Sequence, residues 1–146
     1  MYLKPAALAL LASIPLAAFA QAPERPEMPA TKVDTAPALD GDVLGDPVWQ
    51  TIDPRTEFIQ NTPDDGLPVS QKTELRLAYT SDAVYVSFVC YDDPAAIIVS
   101  DARRDSDLDD TDGVKFIFDT YRDEQNGFVF GTNPAGMEYD GQLSKG

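Results

Sequence analysis

The chain has 146 residues, 43% hydrophobic and 25% charged, with 11 Lys+Arg against 25 Asp+Glu and no His. That length predicts one domain, and the hydrophobic content is that of a folded chain. A net charge of -14 argues against a general nucleic-acid or nucleotide-phosphate role, because such affinity comes from Lys and Arg neutralising phosphates. Without His there is no Ser-His-Asp triad, no Cys-His dyad and no His-ligated zinc or haem.

Met1 to Ala20 reads as a secretory signal peptide: Lys4 gives the positive start, Ala6 to Ala20 the apolar stretch, and Ala18-Phe19-Ala20 the small-x-small cleavage pattern. The stretch is shorter than the ~20 apolar residues a spanning helix needs, and Pro15 interrupts it. The protein is therefore expected to be exported, to the periplasm, the outer membrane or the extracellular space. Residues 21–38 follow as a spacer punctuated by Pro23, Pro26, Pro29 and Pro37, expected to be extended and poorly ordered.

Beyond Leu39 the dominant period is two, the mark of half-buried strands. Leu75, Leu77 and Tyr79 alternate with Glu74, Arg76 and Ala78. Val84, Val86, Phe88 and Cys90 then share one face, after Ser81-Asp82, a two-residue connection suited to a hairpin. Pro94 to Val99 is the one place for a short helical turn, with Pro94 at its first position. Val114, Phe116 and Phe118 alternate next, Asn126-Gly127 introduces Phe128-Val129-Phe130, and Asn133-Pro134-Ala135-Gly136 turns the chain into Met137 to Asp140. The pattern predicts an all-β fold, an antiparallel β-sandwich over residues 39–146.

Cys90, the only cysteine, lies in phase with the apolar residues of its strand and is expected to be a buried small hydrophobe. Trp49, the only tryptophan, stands at a strand entry, where an indole plugs the end of a core. Asp105, Asp107, Asp109, Asp110 and Asp112 put five carboxylates into eight residues. Such a loop repels itself unless water or a cation relieves it, and calcium takes 6–8 oxygen ligands from loops of this kind. The register is not that of an EF-hand, since Asp110 and Phe116 stand where that loop needs Gly and Glu. Arg103 and Arg104 precede the loop and either hydrogen-bond sugar hydroxyls or pair with the surrounding carboxylates. Among the tyrosines, Tyr91 and Tyr121 are candidates for a platform under a sugar ring. Two acids 5–10 Å apart would permit glycoside hydrolysis, but with 25 acids such a pair is inevitable and carries no information.

Leu39-Asp40-Gly41-Asp42 followed by Asp46-Pro47-Val48-Trp49 resembles the I-D-G…W opening of the family 9 carbohydrate-binding modules and their relatives. Thr73 to Tyr79 leading into Val84-Tyr85-Val86, Asp92, and Asp112-Gly113-Val114 running to Phe118-Asp119 fit the same family. Asp119-Thr120-Tyr121, Phe128 to Gly136 and Tyr139-Asp140-Gly141 resemble a subgroup of exported bacterial proteins in which the module precedes a predicted outer-membrane β-barrel. The resemblance implies a jelly-roll β-sandwich that binds oligo- or polysaccharide, with Ca2+ as a structural ion; haem, which Met137 or Lys115 would have to ligate without His, and nucleotide are not expected. It departs from the family in having one tryptophan where members clamp sugar between two, and in lacking a later G-W-x-x-E-x-x-I-P pattern. The sandwich is accordingly expected to be incomplete at its C-terminus. The expected function is a non-catalytic carbohydrate-binding module linked to polysaccharide binding or carbohydrate catabolism. The alternatives are an interaction or plug domain of an outer-membrane barrel, and a fragment of a glycoside hydrolase.

Overall fold

The structure, a computed structural model, describes residues 26–145; the signal-peptide reading of residues 1–20 and the first part of the spacer lie outside them. Six strands form two three-stranded sheets: β1 (Thr31–Lys32), β2 (Thr73–Tyr79) and β3 (Val84–Cys90) in one, β4 (Val114–Phe118), β5 (Asn126–Thr132) and β6 (Tyr139–Ser144) in the other. The fold is all-β, and no described helix is long and apolar enough to cross a membrane.

Each hairpin follows its turn chemistry. Strands β2 and β3 pair antiparallel from Thr73↔Cys90 to Tyr79↔Val84. Ser81-Asp82 sits inside the connection, where Thr80 N donates to Ala83 O at 2.9 Å and Thr80 Oγ1 accepts from the Asp82 and Ala83 amides at 3.2 Å. Strands β4, β5 and β6 form an antiparallel meander with Phe116↔Phe130, Phe118↔Phe128 and Val129↔Gly141 in register. Asp123 opens β5 by accepting from the Gln125 and Asn126 amides at 2.9 and 2.8 Å. Pro94 to Ala96 form a single turn, closed by Ala96 N on Asp93 O at 2.8 Å, that does not extend to Val99.

The expected spacer is corrected in part. Thr31–Lys32 pairs parallel with Ala78 and Tyr79, and Val33 N continues the ladder to Tyr79 O at 2.9 Å. Between Pro29 and Pro37 the residues Thr31, Val33 and Thr35 are β-branched and every amide can donate, so this stretch is competent as an edge strand. The first sheet is therefore mixed and not wholly antiparallel.

The two sheets meet through aromatic rings. Phe88 stacks on Phe116 with centroids 6.5 Å apart, and Phe116 packs against Phe118 and Phe130 at 5.5 and 5.7 Å. These are the inner faces, to which Val86 also belongs by alternation. A second core lies on the opposite face of the first sheet, where Trp49 (4% exposed) and Ile52 cover Ala78 (0%), with Val33, Val43 and Tyr85 packed around them. Trp49 is a core residue, as expected. Its approach is fixed by Asp46, whose carboxylate accepts from the amides of Ala38 and Val48, both at 2.7 Å. Gly41, at φ +83°, makes the turn before it.

That second core reverses which face of β2 is deepest. Glu74 (5% exposed) and Arg76 (8%) are buried, whereas Leu75 and Leu77 are half-buried. The segment around Ile52 folds across the polar face, and Arg76 Nε donates to Ile52 O at 3.1 Å.

Candidate functional site

A cleft of about 690 Å³ opens where the two sheets end side by side, within the size range of small-molecule sites. Thr73, Phe88 and Cys90 bring the inner face of the first sheet to it, and Val114 and Thr132 the matching face of the second. Loops supply the rest: Gln60 and Val69 to Gln71 from one side, Asp92 and Ile97 from the chain leaving β3, Asp112-Gly113 and Asn133-Pro134 from the chain flanking β4 and β5. The walls thus combine aromatic and aliphatic surface with amides, hydroxyls and two carboxylates.

Several of these groups are held in place. Asn133 is buried, donating to Asp101 O at 2.6 Å while its Oδ1 accepts from the Ala135 and Met137 amides at 3.0 and 3.2 Å. Asp112 Oδ2 accepts from Ile98 N at 2.7 Å, and Asp112 N returns a bond to Ile98 O at 2.8 Å. Tyr91 reaches from the cleft wall to Glu74, its hydroxyl donating to Oε1 at 3.2 Å, and Lys72 Nζ stands 4.7 Å from its ring centroid. Behind it, Glu74 also takes Lys72 at 2.6 Å and Arg76 at 2.9 Å. The Lys72 ammonium, and after it the Arg76 guanidinium, hold the Glu74 carboxyl below its ordinary range.

Cys90 overturns its expectation. It is exposed, because β3 ends at the cleft mouth, where the second sheet no longer covers the inner face.

Of the four residues singled out for ligand contact, the cleft contains Tyr91 alone. Tyr121 stands in the β4–β5 connection, 74% exposed. Arg103 chelates Asp101 through Nε at 2.9 Å, and that bond holds the Asp101 carboxyl far below its usual value. Arg104 bonds Glu138 and Asp140 and lies 3.5 Å from Asp105, tying the acidic loop to the start of β6. Both arginines thus pair with local carboxylates. Sequence reasoning missed Gln60, Gln71 and Asn133, for amides in loops carry no periodic signal and only the fold assembles them.

The five aspartates are dispersed as well. Asp105 N donates to Glu138 O at 3.0 Å, Asp107 Oδ1 accepts from Asp109 N at 2.9 Å, and Asp109 pairs with Lys115 at 3.1 Å. That last bond raises the Lys115 ammonium above its ordinary pKa. Only Asp107 and Asp110 share a smaller hollow, and they share it with Arg103. No group of three or more His, Cys, Asp or Glu side chains placed to hold a metal ion is found among the described residues. Compared with known proteins, the chain matches no family model, no curated protein and no solved structure.

Proposed function

We propose that this chain is a non-catalytic carbohydrate-binding module of an exported protein, serving polysaccharide binding or carbohydrate catabolism, with the inter-sheet cleft as its sugar site. The observation that carries the reading is the chemistry of the cleft walls. A saccharide presents C–H faces, which pack on aromatic surface, and hydroxyls, which need fixed donors and acceptors. Phe88 and the part of Tyr91 that lines the cleft offer the first; Gln60, Gln71, Thr73 and Thr132 offer the second. The family resemblance of Leu39 to Gly141 points the same way. No catalytic role is assigned to any residue.

A glycan array probed with the whole chain tests this, with Tyr91→Ala as the comparison. Retention of one or a few oligosaccharide classes is expected, weakened roughly tenfold or more in Tyr91→Ala, given the ~1–3 kcal/mol such a buried aromatic surface contributes. A folded protein that retains no glycan would overturn the reading.

A second reading, a docking domain for an outer-membrane barrel, is favoured by one observation. Ile117 (59% exposed) and Leu143 (45%) lie uncovered on the outer face of the second sheet, on either side of Val129 and Gly127. Apolar residues on both faces of a sheet are the pattern of a sheet covered on both sides.

A further inference from the structure

We infer that the cleft sorts saccharides by charge, preferring protonated amino sugars to neutral ones and rejecting uronic acids; this rests on the cleft being a sugar site. Asp92 and Asp112 line it, and no Lys or Arg does among the described residues. Each carboxylate is anchored through one oxygen, Asp92 Oδ1 by Asp93 N and Asp112 Oδ2 by Ile98 N, both at 2.7 Å. Anchoring of this kind fixes a side chain while its second oxygen keeps its acceptor capacity.

Two cations from elements that flank the cleft are already engaged. Lys72, beside Tyr91, is bonded to Glu74 at 2.6 Å, and Arg103 is chelated by Asp101. A uronic acid entering the cleft would meet two fixed negative charges with no counter-charge on the walls, and like charges at close range cost affinity. An ammonium replacing a sugar hydroxyl meets the reverse situation. A hydroxyl donates one proton to an acceptor; an ammonium donates three and adds the Coulomb attraction.

The experiment is calorimetric titration of the whole chain with three β-1,4-linked oligomers of equal length. One is built of glucose, one of glucosamine at mildly acidic pH, and one of glucuronic acid. Each is measured at low and high salt, for the wild type and for Asp92→Asn/Asp112→Asn, in which each amide oxygen still accepts the anchoring amide. The glucosamine oligomer is expected to bind roughly fivefold tighter than the glucose oligomer for each carboxylate engaged, with the gap shrinking in salt and closing in the double variant. The uronic acid oligomer is expected not to bind the wild type. Equal affinity for the glucose and glucosamine oligomers would overturn the inference and leave the sugar site standing. So would a glucosamine preference surviving in the double variant, which would belong to the net charge of the chain. Failure of all three to bind would overturn both.

Discussion

Glu74 and Arg76 are charged side chains buried on the face of a strand, and they persist because each is answered at close range. Glu74 takes Lys72, Arg76 and the Tyr91 hydroxyl; Arg76 takes Glu74 and the Ile52 carbonyl. The answer is incomplete, since Arg76 Nη1 and its cross-strand neighbour Ser87 Oγ find no hydrogen-bond partner among the described residues. Removing one partner from such a set is costly because it strands the other. A pH dependence follows from Glu74. Its pKa is lowered from 4.5 in the folded state, so the stability it contributes is present above about pH 4.5 and is lost as pH falls through the lower folded value. Lys72 is the mirror case: its pKa is raised from 10.5, so its contribution is present below that value and is lost as pH rises through the higher folded one. Urea unfolding over a series of acidic pH values should show a shallower fall in stability for Glu74→Gln than for the wild type. Identical slopes would contradict the assignment.

At the scale of elements, the meander β4–β5–β6 depends on a close approach. A Cβ at Gly131 would stand 2.7 Å from Leu108 Cδ1 and 2.9 Å from the Val114 carbonyl oxygen. Glycine there lets Leu108 carry the acidic loop down onto the outer face of the sheet. Gly131→Val is expected to destabilise the chain by about 1–3 kcal/mol, through overpacking against backbone, and to release the Lys115–Asp109 pair. Urea denaturation measures the first; an unchanged midpoint would show that the loop adapts freely. The strands were legible in the sequence because period two is a local property: Leu75, Val86, Phe116 and Phe130 declare it by themselves. Which face would be deepest was not, since Glu74 and Arg76 are covered by a segment some twenty residues away, and alternation says nothing of what folds across it. Cys90 misled for the same reason, being in phase with the interior yet placed where the interior ends. The edge strand at Thr31 was obscured by the prolines around it. Of the site, Tyr91 was legible as an aromatic closing a strand, and Asp112 as one carboxylate of the acidic loop. Arg103 and Arg104 stood out as charges, and the nearby carboxylates claim them.

At the scale of the molecule, two small sheets touch through Phe88 and Phe116, and the cleft opens beside the ends of their strands. The deepest packing lies elsewhere, around Trp49 on the far side of the first sheet. The single indole therefore belongs to the scaffold, and the aromatic residues that line the cleft are Tyr91 and Phe88. The cleft also carries its own reporter, for Cys90 is the only cysteine in the chain, exposed and on the cleft wall. The most direct test is the rate of Cys90 alkylation by iodoacetamide, with and without saturating amounts of the oligosaccharide most strongly retained on the array. Slower labelling in the presence of sugar, lost again in Tyr91→Ala at the same sugar concentration, is the predicted result. Labelling at the same rate with the sugar demonstrably bound would contradict the account, because the ligand would then sit somewhere other than between the sheets.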